Sequence, residues 1–262
     1  MPKLTPDQIL EYNRNAWTRQ SVNGNRWTVP YGVEVIERAR KGILELVLTP
    51  SKAVPMHWYP PNESAVLCLA SGGGQQVPAL AAAGYKVTSF DLSEAQLKAD
   101  ESVARQFNLE IKLVQGDMAD LSAFENESFD FVFNPCSTTF VPDVRKVYKE
   151  VGRVLKPGGT FVTGFTNPVY YLFDLLLQEK GIFTLKYAQP YSDLESLNEE
   201  ERTFLNSTDE PLAFGHSLED HLNGHKEAGL TFMEMFEDSW GGTNAVDKYF
   251  PAFIAFRSVK VS

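Results

Sequence analysis

At 262 residues the chain is long enough to bury a sizeable core, and its 34 acidic against 24 basic side chains give a formal charge of −10, which argues against a nucleic-acid substrate. Two cysteines exclude a disulfide framework. No apolar run approaches the ~18 residues a membrane span needs and no cationic leader precedes an apolar stretch, so the expectation is a cytoplasmic chain with no membrane partner and with an oligomeric state that composition leaves open.

In chain order, residues 5 to 60 read as helical and loop segments with many aromatics, among them Tyr12, Trp17, Trp27, Tyr31, Trp58 and Tyr59. Such rings either pack an added layer on a sheet or cover a bound ligand. The run VLCLASGGGQQ, Val66 to Gln76, is a short buried strand that ends in three glycines and becomes helical. Glycines there let the backbone turn sharply and approach a ligand, and the helix start offers it free N–H groups. Gly72 and Gly74 fit the first two places of Gly-x-Gly-x-x-Gly, but Val77 stands where the third glycine belongs, which disfavours a pyrophosphate site.

A second strand, Lys86 to Phe90, ends in Asp91, about 20 residues past the glycine loop, where a doubly wound fold places a carboxylate to accept from ribose hydroxyls. Asp91 could instead cap the next helix, yet Ser93 with Gln96 three residues on spells a capping box of its own. A third strand, Ile111 to Gln115, ends in Gly116-Asp117-Met118, and a fourth, Phe129 to Phe133, ends in Asn134-Pro135-Cys136-Ser137. Ligands of open parallel sheets lie outside the carboxyl ends of the strands, so these tips should converge. Cys136 has no histidine near it in sequence and reads as packing rather than as a nucleophile.

A helix stopped by Pro157-Gly158-Gly159 leads to a fifth strand, after which residues 169 to 215 are too long for an ordinary connection. That insertion carries a predicted helix, YYLFDLLLQEKG, an acidic run, Glu199 to Glu201, read as a solvated helix start, and the rings Tyr170, Tyr171, Phe173, Tyr187 and Tyr191, candidates for an aromatic ligand wall. His221 and His225 share a face of the predicted helix Leu218 to Ala228, but no third ligand is evident and no metal is expected. The chain closes with TFMEMFED and FIAFRSVK, an antiparallel hairpin.

From residues 64 to 168 the chain resembles class I S-adenosylmethionine-dependent methyltransferases of the Rossmann-like, small-molecule type, and LASGGGQQ is similar to a bacterial branch of them. The resemblance implies a seven-stranded, mostly parallel α/β sheet with an antiparallel C-terminal strand and helices on both faces. Residues 1–60 would form an N-terminal helical lid and residues 61–262 the catalytic core. It places Ala70, Ser71, Gly72, Gly73 and Gly74 against the methionine part of S-adenosylmethionine, Asp91 with Leu92 at the ribose, and Asp117 with Met118 at the adenine. Asn134 and Pro135 would line the methyl-transfer site, Asn134 being a catalytic candidate, and Trp17, Arg26 and Trp27 would be lid contacts. Two departures stand out: Cys68 replaces the family's usual acidic residue and Ala70 its usual glycine.

The implied activity is methyl transfer to a small-molecule acceptor. His216, just before the helix capped by Ser217, is the first candidate for a base. Two other functions compete: S-adenosylmethionine binding without transfer, and a nicotinamide-dependent oxidoreductase, which the missing third glycine disfavours.

Overall fold

The computed structural model describes residues 4–261. Two helices, α1 (Pro6–Val22) and α2 (Val33–Arg40), precede the sheet. Then β1 (Ala65–Leu69), α3 (Gln76–Ala82), β2 (Lys86–Asp91), α4 (Glu94–Phe107), β3 (Ile111–Gln115), β4 (Phe129–Asn134), α5 (Val144–Val154) and β5 (Leu155–Thr166) follow in sequence. The insertion holds α6 (Leu175–Gln178), β6 (Tyr191–Ser192), α7 (Asp193–Ser196), α8 (Glu199–Ser207) and β7 (Phe214–Gly215), and the chain ends with α9 (Leu218–Glu227), β8 (Leu230–Asp238) and β9 (Phe253–Lys260).

The main sheet runs β3-β2-β1-β4-β5-β9-β8. Strands β1 to β5 pair in parallel, and β9 enters antiparallel between β5 and β8. Parallel strands need crossover helices, and these cover both faces, which is why β1 and β4 read as nearly unbroken apolar runs. One face is packed by α2, α3 and residues 44 to 58, the other chiefly by α5. Helix α5 presents Val144, Val147, Tyr148, Val151 and Val154 to the sheet, a stripe at helical spacing. The strand order reverses between β1 and β4, so a crevice opens there at the carboxyl ends. Among the described residues, no helix is long and apolar enough to cross a membrane.

Three local expectations fail. The predicted helix over Tyr170 to Gly181 breaks into a 3₁₀ turn, Pro168–Leu172, and the four-residue α6, because Asp174 caps a new start at Leu177 N. Glu201 is fully buried rather than solvated, bonded to Lys186 and Tyr187. The Ser93 side chain makes no capping bond, since its hydroxyl pairs with that of Thr18 on α1, 3.0 Å away, and its own N–H donates to Asp91.

Candidate active site

The turn after β1 is built around two carboxylates. Gly72 N donates to Asp91 Oδ2 (3.1 Å) and Ser93 N to Asp91 Oδ1 (2.9 Å), so Asp91 joins the glycine turn to the start of α4. Burial pushes this carboxyl up to about 6, against the pull of those N–H groups. Beneath it Asp100, fully buried on α4, accepts Gly74 N (2.7 Å) and the Ser89 hydroxyl (2.7 Å), and burial raises it to about 7. A charge on the buried face of a helix, between Leu97 and Ala104, was the available signal for Asp100, and sequence reasoning missed it.

Gly73 and Gly74 serve the N-terminal segment and do not line the crevice. A Cβ on Gly74 would lie 2.8 Å from Pro30 Cβ, and Tyr31 N donates to Gly74 O (2.8 Å). Gln75 completes the seat by donating to the carbonyls of Arg26 (3.0 Å) and Val29 (2.8 Å). Farther on, residues 47 to 54 lie directly on the sheet: Leu48 O accepts Cys136 N (3.0 Å) and sits where a Cβ of Gly164 would have to be. Asp238, at the end of β8, fixes this strap by accepting Thr49 Oγ1 (2.7 Å), Ser51 N (2.9 Å) and Lys52 N (2.9 Å).

The crevice widens into one continuous cavity of about 860 Å³. Ala70, Ser71, Gly72, Asp91, Leu92, Asp117, Met118 and Pro135 line its sheet side, and Trp17 and Trp27 close it from the N-terminal segment. Arg26 does not line it, but its guanidinium lies 4.2 Å from the Trp27 ring and 5.2 Å from that of Trp240, holding the two together. All five insertion rings, Tyr170, Tyr171, Phe173, Tyr187 and Tyr191, reach the opposite wall. Ser71 Oγ and Gln96 Oε1, on the cavity lining beside Asp91, are buried without a protein partner. A ligand bearing both donors and acceptors would satisfy them.

A methyltransferase-domain family model matches residues 67–163. The Bacillus subtilis protein YbaJ, described as an uncharacterized methyltransferase, is 44% identical over 254 residues, covering 97% of this chain and 99% of its own. The chain belongs to the S-adenosylmethionine-dependent methyltransferases. A solved S-adenosylmethionine-dependent methyltransferase of Mesorhizobium loti shares the fold at 18% identity, TM-score 0.58, over 78% of this chain and 94% of that one. The 1,6-didemethyltoxoflavin-N1-methyltransferase of Burkholderia thailandensis does so at 14% identity, TM-score 0.62, over 100% of this chain and 93% of that one. The orphaned Ser71 and Gln96 atoms and the ionisable Asp91, all on one wall, fit S-adenosylmethionine as cofactor.

Two residues expected to face the chemistry in this methyltransferase do not. Asn134 is fully buried: its amide donates to Leu69 O (2.8 Å) and Ser137 Oγ (2.7 Å) and its oxygen accepts from Thr163 Oγ1 (3.0 Å), tying β1, β4 and β5 together below the cavity floor. His216 lies off the cavity, with Nε2 3.2 Å from Thr138 O and 3.0 Å from Val141 O. Two carbonyls at one nitrogen require that nitrogen to carry the proton, which leaves the imidazole's lone pair on Nδ1, and burial lowers the pKa. His221 and His225 are core residues, the first bonded to Tyr148 Oη (2.6 Å) and the second through Nδ1 to His221 O (2.7 Å). Burial raises the Cys136 thiol, which lies on the cavity wall, far from a nucleophile's range.

Proposed function

We propose that the methyltransferase modifies a small organic acceptor bound against the insertion's aromatic wall, with the cofactor along the strand tips. The observation that carries this is the single cavity joining the two, roofed by α1 and the insertion, with Trp17 packed edge-on against Phe140 at a centroid distance of 5.0 Å. Such an enclosure suits a compact ligand far better than a polymer. Among relatives, the Burkholderia enzyme has bound 1,6-didemethyltoxoflavin and S-adenosylhomocysteine. Demethylmenaquinone methyltransferase of Geobacillus stearothermophilus is 33% identical over 120 residues, 42% of this chain and 51% of its own.

In this assignment Asp91 accepts from the ribose hydroxyls, with Leu92 beside them. Asp117 faces the adenine amino group, Met118 the ring, and Ser71 and Gln96 the amino-acid end. When bound, the cofactor supplies an electrophilic methyl group on a sulfonium sulfur. The residues of the chain hold the acceptor in line with that methyl group and keep water out, which accounts for most of the rate in such transfers. Trp17 and Trp27 form the cover, and Arg26 steadies Trp27 from behind. The covering part of the N-terminal segment thus ends near Trp27, and the expected lid over residues 1–60 is too long, because Ile36, Ala39 and residues 44 to 58 pack into the core of the sheet itself.

A labelled-methyl assay against pools of small molecules, duplex DNA, transfer RNA and unfolded protein tests the proposal. Label should enter only the small-molecule fraction. Incorporation into a macromolecule alone would overturn it.

A further inference from the structure

The acceptor half of the cavity has an unusual electrical character. Its insertion wall supplies Glu179, Asp193 and Glu210, α1 adds Asp7, and the one cationic side chain among the described lining residues is Lys146, exposed at the rim. Lys186, the nearest cation of the insertion, is absent from the lining and is neutralised by Asp174 and Glu201. Glu179 and Glu210 lie close enough for one charge to act on the other.

Three of the wall tyrosines already have their hydroxyls engaged within the protein. Tyr191 Oη donates to Asp193 (2.6 Å), Tyr187 Oη to Glu201, and Tyr171 Oη pairs with Thr139. Their rings form one aromatic cluster on the wall: Tyr171 and Tyr191 are stacked at 5.2 Å and 22°, with Tyr187 tilted at 5.3 Å from Tyr191. Ring faces carry the negative part of the aromatic quadrupole, and phenols bonded to carboxylates hold more electron density still. The fold already uses this property, since Lys186 Nζ lies 5.5 Å from the Tyr187 centroid.

Asp193 is the deepest of the carboxylates, 5% exposed, with Oδ1 taking Tyr191 Oη and Oδ2 taking Ala213 N (2.6 Å). A carboxylate offers about four lone-pair sites, so capacity for a ligand donor remains. Burial raises its pKa to about 6, opposed by those two donors. An anionic acceptor would meet like charge on the wall and find no guanidinium or imidazole among the lining residues to pair with.

We propose that the acceptor is a planar aromatic base, an aromatic amine or nitrogen heteroaromatic, its ring against Tyr171 and Tyr191 and its nitrogen on Asp193. This rests on the small-molecule reading of the same cavity. It makes the acceptor's charge, rather than its bulk, the main criterion of selection.

The test uses the full chain saturated with S-adenosylhomocysteine, so that the cofactor half is filled, and three planar probes followed by calorimetry: N-methylquinolinium, naphthol and naphthoate. The cation should bind at least ~10-fold more tightly than either of the others, the equivalent of about 1.4 kcal/mol. Asp193→Asn should remove most of that preference while S-adenosylhomocysteine affinity stays within about twofold. Should Asp193→Asn not fold, the double variant Glu179→Gln, Glu210→Gln, at exposed positions, should weaken the cation and reduce its salt dependence. Equal affinity for the three probes, preference for naphthoate, or a wild-type cation preference in the folded variants would overturn the inference. Failure to bind S-adenosylhomocysteine, or label entering macromolecules alone, would instead overturn the reading on which it rests.

Discussion

The two halves of the cavity are made by different means. On the sheet side the ligand surface is built around a glycine turn whose N–H groups are held by Asp91 and Asp100 from elements next to it in the chain. On the insertion side it is all side chain, rings from a segment of short helices and two-residue strands whose partners are Thr139, Glu201 and Asp193. The first half can be kept while the second is rewritten, because no hydrogen bond of the carboxylate pair reaches the insertion. Shared cofactor chemistry and variable acceptors would follow from such a division.

The halves also differ in what their charges cost. Burial works against the insertion's Glu201, but hydrogen bonds from Lys186 and Tyr187 outweigh it and hold the carboxyl below its usual range. Asp100 has no cation and is held up near 7 by burial. Its folded pKa exceeds the unfolded value of 3.8, so the folded state binds the extra proton; the stability this gives is complete below about 4 and is lost as pH rises through 7. Asp100→Asn keeps an acceptor for Gly74 N and lets the Ser89 hydroxyl turn round. Thermal unfolding of ligand-free protein from pH 5 to 8 should show a flatter profile for the variant, which at pH 8 gains up to a few kcal/mol. Identical slopes would mean that Asp100 is not the source of the cost.

Asp91→Ala should weaken S-adenosylhomocysteine binding about 10- to 100-fold, from ~1.5 to 3 kcal/mol of lost charged hydrogen bonding. Quinolinium binding to the insertion wall should change little. If both affinities fall together in a folded variant, the two halves are one cooperative unit and the contrast between them is wrong.

The same contrast explains what could be read in advance. Strands β1, β2, β4 and β5 are legible from their buried apolar runs, the edge strand β3 from its alternation, and the place of Asp91 because the carboxylate follows the glycine turn at a fixed distance set by one βαβ unit. The five aromatic wall residues were identified by composition and by the length of the insertion. Asn134 and His216 were misplaced because their partners, Leu69, Thr163, Thr138 and Val141, are brought to them only by folding. The sequence assigns Gly73 and Gly74 to the ligand, yet apart from Gln96 beside Gly73 their packing partners lie about 45 residues earlier, at Trp27, Thr28 and Pro30. Local spacing reports a turn; it does not report which neighbour requires it.

The smallest expected effect concerns Ala70, the departure in the first loop. Its φ is +49°, the left-handed region that glycine enters freely and that an L-residue enters at a cost. Its N–H donates to Phe90 O (2.7 Å), the contact that pins the turn to β2, so relaxing to another conformation would break that bond. The strain is therefore retained by the surrounding fold. Ala70→Gly removes the Cβ penalty but adds freedom to the unfolded chain, two terms of similar size and opposite sign. The left-handed cost of ~1 to 2 kcal/mol exceeds the entropic term of ~0.4 to 1 kcal/mol, so the variant should gain about 0.5 to 1 kcal/mol in urea unfolding. Cofactor affinity should stay within about threefold, since Ser71, Gly72 and Asp91 keep their places. A clear loss of stability would show that the Ala70 methyl group makes packing contacts worth more than the strain it imposes. A large loss of affinity with stability intact would instead mean that the strained turn is itself what shapes the site for its cofactor.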